Sequence, residues 1–468
     1  MTPSALQWLP IAAPLLKEHF KSTLSAASSL DWQSHKRAGI ISNDSDLSAL
    51  INIHYHGAAF VQSNPKHCAQ ALCNVLDCVV SEEAINLLLV YLSWFFPTAE
   101  GSRSCAELEG DQDLDAGTNS ALDTIRHLHN AGIEIQLVKL LARNDLLITL
   151  QAAALLTSFA ALDCAVQQQI PIVNALCEWI LSRLEGHSMP DAHLEIILSS
   201  FSVLLQCGGH IEQPEAFNSA LCQILAAEKP SFSSQNAYFA LLCLWLLSMK
   251  SKLPTPPIAL ILQVLRNASK EKIIRITLYW LSLYIRKDSP NPTLPFEERS
   301  ELLQTLQSLT RSQHAFSDPE LLSMLTDCTG QLKAHLEDSS LLWAEYSQEL
   351  ESSSSSSPSP SSPSSIHNNR LFWQKCAPML NAQDCAPLKR LVCKLFAAVD
   401  VQGVRVALAD LAMYFVEGEG AVVEQGRSVI CGERGWKERL VNYMNYPDSE
   451  VQYSALIVVQ RLVLPARE

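Results

Sequence analysis

The feature that most restricts the fold is a helical pattern that returns at module-length spacing. Val451, Ala455, Val458, Val459, Leu462 and Val463 form an apolar stripe near the C-terminus. Steps of three and four residues put such side chains on one face of an amphipathic helix. Asp448 stands just ahead of the stripe as an N-cap, its carboxylate placed to accept a free backbone N–H. A related block over 404–411 lies upstream, with Val404 and Val451 separated by 47 residues. Helical units recurring at about 40–47 residues mark HEAT and armadillo arrays, in which each unit buries its apolar face by stacking on the next. The expected fold is therefore all-α: a HEAT/armadillo-like α-solenoid body plus a smaller α-helical C-terminal domain. Arrays of this kind act as binding surfaces, and most do no chemistry.

The rest of the chain agrees. Apolar-periodic stretches at 81–96, 144–161, 170–184, 191–206, 216–227, 235–249, 258–266 and 271–285 predict successive helices. Asn144-Asp145 and Asp318-Pro319 are start signals; the acid caps, and a proline in the first turn gives up an N–H that has no partner anyway. Val and Ile do not alternate with polar residues over any long run, so strands are disfavoured. Two stretches interrupt the pattern. Residues 100–120 are small and acidic, with Glu107, Glu109, Asp111, Asp113 and Asp115, and predict a long mobile loop. Residues 352–365 are only serine and proline, which bury no apolar surface to offset ordering entropy and predict a flexible linker. The expected layout is a helical body over 1–350, a linker over 351–369 and an armadillo-like domain over 370–468.

Charge and cysteine content exclude several classes. The net charge is −14, yet residues 370–468 hold 12 basic and 11 acidic side chains, so the acidity resides in the first 369. Nucleic acid and anionic lipid both select clustered Lys and Arg, and neither is an expected partner. The longest apolar runs, such as 238–249, are about a dozen residues, short of the roughly 20 that cross a bilayer. The first 14 residues lack the basic start and apolar run of a signal peptide. A soluble chain without direct membrane insertion is expected. Among 14 cysteines, Cys164, Cys177, Cys243 and Cys393 sit on apolar stripes, where a thiol packs as a small hydrophobe. That usage predicts a reducing, cytosolic setting.

Reactive motifs are missing from the sequence. No Gly-Lys dipeptide occurs, so no phosphate-cradling P-loop is present, and there is no Gly-x-Ser-x-Gly elbow. His54, His56, His67 and Cys68 make the one histidine-rich patch, without a Cys-x-x-Cys partner, and surface histidines are expected in place of zinc. His127 and His129 are two apart and fall on different sides of a helix. Asp111-Gln112-Asp113-Leu114-Asp115 has the spacing of a calcium loop but no glutamate at the twelfth position. Trp94, Trp179, Trp245 and Trp280 lie in apolar runs and are expected in the core. None of the nine tryptophans is followed four residues later by Asn, the ladder an armadillo importin would show. No catalytic residue, cofactor or metal is expected.

A series of blocks carries a family likeness. After 370 these are Phe372-Trp373, Leu380-Asn381, Leu388-Lys389-Arg390-Leu391, Ala409-Asp410-Leu411 with Tyr414, Gly426-Arg427-Ser428-Val429-Ile430, and the closing stretch 448–462. Before it come Asp31-Trp32-Gln33-Ser34, Ile41-Ser42, Lys270-Glu271-Lys272-Ile273-Ile274-Arg275-Ile276, and Glu345-Tyr346-Ser347-Gln348-Glu349-Leu350. In content and order they resemble the H subunit of the vacuolar-type proton-pumping ATPase, densely after Arg370 and patchily before it. Residues 416–424 depart from the family's short Tyr-Pro turn, being longer and acidic. The Ser/Pro tract and the acidic loop also look like additions.

The resemblance implies a non-catalytic regulatory subunit of the peripheral, ATP-hydrolysing sector of the pump. Implied partners are the peripheral-stalk subunits and the cytosolic arm of the large membrane-anchored subunit, which makes the chain part of a hetero-oligomer. The implied place is the cytoplasmic face of vacuolar or other endomembranes, and the cytosol when the soluble sector detaches. The implied roles are coupled proton transport and silencing of ATP hydrolysis in the detached sector. A flexible linker would let the small domain move between docking sites while its tether keeps it close to both. Arg370, Phe372 and Trp373 are expected to set the start of the small domain against the body. Lys389, Arg390, Asp410, Asp448 and Glu450 are expected as exposed charges for partner contact. The alternative is a generic HEAT/armadillo adaptor unrelated to the pump.

Overall fold

The computed structural model describes residues 10, 13–27, 30–96, 114–162, 170–186, 189–207, 211–228, 232–251, 257–285, 294, 296–311, 316–351, 366–367, 369–418 and 420–463. Among them there are helices and turns but no strand. The chain divides into two compact units, Met1–Trp280 and Leu281–Glu468.

The first unit opens with α1 (Pro14–Ala26), α2 (Trp32–Arg37), α3 (Asp44–Ser63), α4 (Pro65–Cys78) and α5 (Glu82–Ser93). It continues with α6 (Leu114–Ala131), α7 (Ile133–Leu141), α8 (Leu146–Leu162), α9 (Ile170–Glu185) and α10 (Asp191–Gln206). Then come α11 (Pro214–Ala227), α12 (Gln235–Lys250), α13 (Ile258–Asn267) and α14 (Glu271–Ile285), whose last turns cross into the second unit. The helices stack in two rows. One runs α4, α7, α9, α11, α13 and the other α5, α8, α10, α12, with each helix packed on its successor and all but α13 packed on a counterpart across the rows. The starts of α8, α10 and α12 are 45 and 44 residues apart, the spacing that helical repeats require.

The second row is interior, and its composition explains why. Every residue from Ile148 to Ala161 and from Ile196 to Leu205 is buried; a helix apolar all round must be covered on all sides. Small residues let neighbouring backbones approach, and most of the buried hydroxyls turn onto their own helix. Thr157 and Ser158 donate to the carbonyls of Ala153 and Ala154 at 2.8 Å, and Ser199 donates to Ile196 at 3.0 Å. These bonds satisfy groups that burial would otherwise leave unpaired. A few polar ties join successive helices: Gln151 donates to Asn86 at 2.7 Å, Asn236 to the Asp191 carbonyl at 3.1 Å, and Trp280 to Ser248 at 3.0 Å.

Several local expectations are corrected. The loop expected over 100–120 is helical from Leu114, because the turn around buried Ile125 and Leu128 propagates N-terminally once nucleated; residues 97–113 lie outside the described set. Cys177 and Cys243 are buried as expected, but Cys393 is exposed and Cys164 lies outside the described residues. Trp179 and Trp280 are core, while Trp94 and Trp245 are only partly buried. Within α3 the helix breaks at Gly57 (φ 60°, ψ −144°), a conformation open to glycine.

The second unit contains α15 (Phe296–Arg311), α16 (Pro319–Glu337), α17 (Ser339–Glu351), α18 (Arg370–Leu380) and α19 (Ala382–Ala397). It ends with α20 (Val401–Glu417), α21 (Gly420–Gly432), α22 (Trp436–Asn442), a 3-10 turn at Tyr443–Asn445 and α23 (Ser449–Val463). Asp318 caps α16 as expected, accepting from the N–H groups of Glu320 and Leu321, with Pro319 in the first turn. Helix α20 is central, contacted by α18, α19 and α23. The two blocks that gave the 47-residue spacing thus pack on each other. Helix α17 lies against α18 and α19, and its Leu342, Tyr346 and Leu350 share an apolar core with Phe372, Trp373, Leu388 and Leu391. The Ser/Pro tract at 352–365 is outside the described residues. Residues 416–424, expected as a long acidic turn, are mostly helix, since α20 runs to Glu417 and α21 starts at Gly420.

Candidate functional site

Several of the residues from 345 onward that carry the family likeness meet in two buried polar clusters in the second unit. The first is centred on Asp410, which projects from α20 and is 2% exposed. The Tyr346 hydroxyl, on α17, donates to Asp410 Oδ2 at 3.0 Å. His367 Nδ1 lies 2.7 and 2.9 Å from the two carboxylate oxygens, and Nε2 lies 3.2 Å from Glu349 Oε1. Trp373 Nε1 donates to the His367 carbonyl at 2.9 Å. Burial alone would keep this imidazole neutral, but its bonds to Asp410 and Glu349 outweigh that cost and raise the pKa from 6.5 to about 10. The same histidine pulls Glu349 below its ordinary value against the opposing effect of burial. Asp410 is pushed up by burial and pulled back by His367 and Tyr346.

The second cluster joins α18, α20 and α21. The Tyr414 hydroxyl lies 2.9 Å from Asn381 Oδ1 and 2.8 Å from the Val422 carbonyl, to which Asn381 Nδ2 also donates at 2.8 Å. Gly426 is needed here. A Cβ at that position would run into the Tyr414 hydroxyl and come within 2.9 Å of Leu388 Cδ2.

The candidate contact residues separate into core and surface. Phe372 and Trp373 are 1% and 0% exposed, with rings 5.2 and 5.5 Å from that of Tyr346. Asp410, expected as an exposed charge, is buried, and this is a correction: it stands three residues after Ala407 and four before Tyr414, at the edge of the buried stripe of α20. Arg370 is exposed and its Nε donates to Glu417 at 2.8 Å. Lys389 lies 3.9 Å from Asp384, and Arg390 3.0 Å from Glu351 at the end of α17. Asp448 caps α23, accepting from the N–H groups of Glu450 and Val451 at 3.1 Å. Arg405, from α20, reaches Asp448 at 2.6 Å and Glu450 at 3.0 Å, tying the last helix to the central one.

Sequence reading missed His367 and Arg405. His367 sits in an aperiodic stretch, and its partners lie 18 and 43 residues away, so only the fold joins them. Arg405 had a weak signal, an isolated base on an apolar block 43 residues from an acid. The histidine patch of the first unit does not come together. His54 lies 2.8 Å from the Tyr91 hydroxyl and His67 2.8 Å from the Ser45 hydroxyl, while Cys68 is buried. Among the described residues no three His, Cys, Asp or Glu side chains are grouped to hold a metal ion. Asp111-to-Asp115 is not a described loop, since 111–113 lie outside the set and Leu114 begins α6.

Comparison with known proteins also matches the chain in two parts, which meet ahead of α17 and not at the boundary between the two compact units. A family model for the V-ATPase H subunit matches residues 19–332 and a second matches residues 340–466, so the latter takes in nearly all of α17. A probable V-type proton ATPase H subunit of Oryza sativa subsp. japonica is 23% identical over 304 residues, 63% of this chain and 63% of that protein. The V-type proton ATPase H subunit of Drosophila melanogaster is 22% identical over 451 residues, 93% of this chain and 87% of that protein. A probable V-type proton ATPase H subunit of Caenorhabditis elegans, the one numbered 1, is 26% identical over 262 residues, 53% of each. Matched along both of its parts, in order, the chain belongs to the V-ATPase H-subunit family.

Proposed function

We propose that the chain is a non-catalytic regulatory subunit of the ATP-hydrolysing sector of a V-type proton pump. In this reading it bridges the stator stalk and the membrane-anchored subunit, is required for coupled proton transport, and silences hydrolysis when the soluble sector detaches. The observation that carries it is the pair of family matches over 19–332 and 340–466. The physical features are compatible with such a role. A stack of apolar helices offers extended surface for protein contact, and the sequence has no Gly-Lys step from which to build a phosphate loop. Among the described residues no helix is long and apolar enough to cross a membrane, in keeping with attachment through partner subunits at the cytoplasmic face of endomembranes. Arg370, Lys389, Arg390 and Glu450, which keep charge at the surface of the second unit, are the contact residues proposed.

The test is biochemical. Tagged full-length chain is recovered from native membranes under conditions that keep the pump intact, and purified chain is added to soluble sectors depleted of their own H subunit. Co-recovery of stalk subunits with loss of hydrolysis supports the reading. Recovery of none of them, with hydrolysis unchanged, defeats it in favour of an adaptor with other partners.

A further inference from the structure

Charge is unevenly spread along the first unit. Between Glu228 and Asp288 stand nine Lys or Arg residues and a single acid, Glu271, in a chain of net charge −14. Part of this basic stretch is gathered at one end of α14. Lys270 directly precedes that helix and Lys272 lies in its first turn, where the backbone dipole disfavours cations. The Lys272 ammonium lies 4.9 Å from the centre of the Tyr238 ring and donates to Gln235 Oε1 at 2.6 Å, both on α12. Burial and the neighbouring Lys270 lower its pKa against the opposing pull of Glu195. Among the described residues its bonded partners are thus an amide and a ring, and no carboxylate.

An apolar stripe starts at this lysine. Tyr238, Leu242 and Trp245 of α12 are partly exposed, and Met249 is 59% exposed. Steps of four, three and four residues put them in one line along the helix, about 16 Å long at 1.5 Å per residue. Tyr279 of α14 flanks the line, its ring 5.3 Å from that of Trp245. One repeat earlier the same face is closed: 44 residues back, Leu198, Phe201 and Leu205 of α10 are each 0% exposed. We propose that the surface of α12 and α14 from Lys272 to Met249 docks an acidic segment of a partner protein. A carboxylate of that segment meets Lys270 and Lys272, and its apolar side chains cover Tyr238, Trp245 and Met249. The fit is one of charge complementarity beside an aromatic and methionine surface, the composition found at interface centres. A membrane or a nucleic acid would bring negative charge against the remaining acidic body over a much larger area, which disfavours both. The proposal identifies a partner by its chemistry and stands independently of the pump reading.

The experiment selects displayed random peptides of about 15 residues, long enough as a helix to cover the stripe, on the full-length chain. Peptides that also bind the Lys270→Glu/Lys272→Glu protein are removed, and a second round uses Met249→Asp, which changes an exposed position and keeps the test valid if the lysine variant fails to fold. The peptides that remain are expected to carry net negative charge with apolar residues among the acids. In fluorescence anisotropy with one such peptide, Lys272→Glu and Met249→Asp are each expected to weaken binding at least about tenfold, with the helical circular dichroism signal unchanged. Added salt is expected to weaken binding to the wild type. A selection that leaves no peptide able to tell wild type from Met249→Asp overturns the proposal, as do discriminating peptides without an excess of acid. Phosphatidylserine vesicles that bind the wild type and not the variants would assign the surface to a membrane and overturn it equally.

Discussion

The hydroxyl of Tyr414 occupies the space in which any residue but glycine at 426 would carry its Cβ. The ring of Tyr414 is buried between α18 and α21 and bonded to Asn381 and Val422, so it has no second position to retreat to. Gly426→Ala is therefore expected to destabilise the second unit by about 1–3 kcal/mol, the usual cost of overpacking. Chemical denaturation checks it. Tyr414→Phe combined with Gly426→Ala is expected to cost less than the sum of the two, because they compete for one volume.

The Asp410 cluster gives a graded series. Tyr346→Phe removes one buried hydrogen bond and is expected to cost about 1–2 kcal/mol. Asp410→Asn leaves the His367 imidazolium without its main counter-charge and is expected to cost about 3–5 kcal/mol. Equal effects for the two, in unfolding midpoints measured side by side, would show that the carboxylate is not charged in the folded protein.

Alkaline pH should weaken the same cluster. The folded pKa of His367 is raised from 6.5 to about 10, so its contribution is complete below 6.5 and declines as pH rises through about 10. Asp410, shifted upward by burial, changes stability in the same sense but in the acid range above its ordinary value. The melting temperature is expected to fall between pH 7 and pH 9.5, with a shallower slope in His367→Gln. Identical slopes in the two proteins would remove His367 from the account.

At the C-terminal helix, Asp448 caps the backbone and bonds Arg405. Asp448→Asn retains a capping oxygen whereas Asp448→Ala loses both functions. The alanine variant is expected to melt lower than the asparagine variant, and Arg405→Ala to resemble the latter. Thermal unfolding followed by circular dichroism distinguishes them.

Truncation inside the second unit tests the apolar face of α17. A chain ending at 338 removes α17 with the helices that cover it, whereas one ending at 351 leaves Leu342, Tyr346 and Leu350 in water. Exposing a large apolar side chain costs about 1.5–3 kcal/mol, so the chain ending at 351 is expected to aggregate more than the shorter one, which loses those side chains together with Glu345, the partner of buried Arg299. Light scattering reads the difference.

Much of the fold was legible because helix boundaries are local. The periodic stretches at 191–206 and 271–285 coincide with α10 and α14, and Asp145 and Asp318 cap the helices they precede. The candidate site was less so. Asp410 reads as a surface charge until its angular position beside Tyr414 is considered, and its stabilising histidine follows a stretch with no periodicity at all. Helical structure from Leu114 was hidden for a related reason: the acidic composition of the preceding residues outweighed the apolar positions at Ile125 and Leu128 that anchor the turn.

Most hydroxyls of the interior row bond to their own helices, and this has a mechanical consequence. Contact between neighbouring helices there is left chiefly to dispersion, which fades within an ångström of separation. The interior row therefore holds its spacing by close fit, and a helix displaced by even that much forfeits a large part of what keeps it in place.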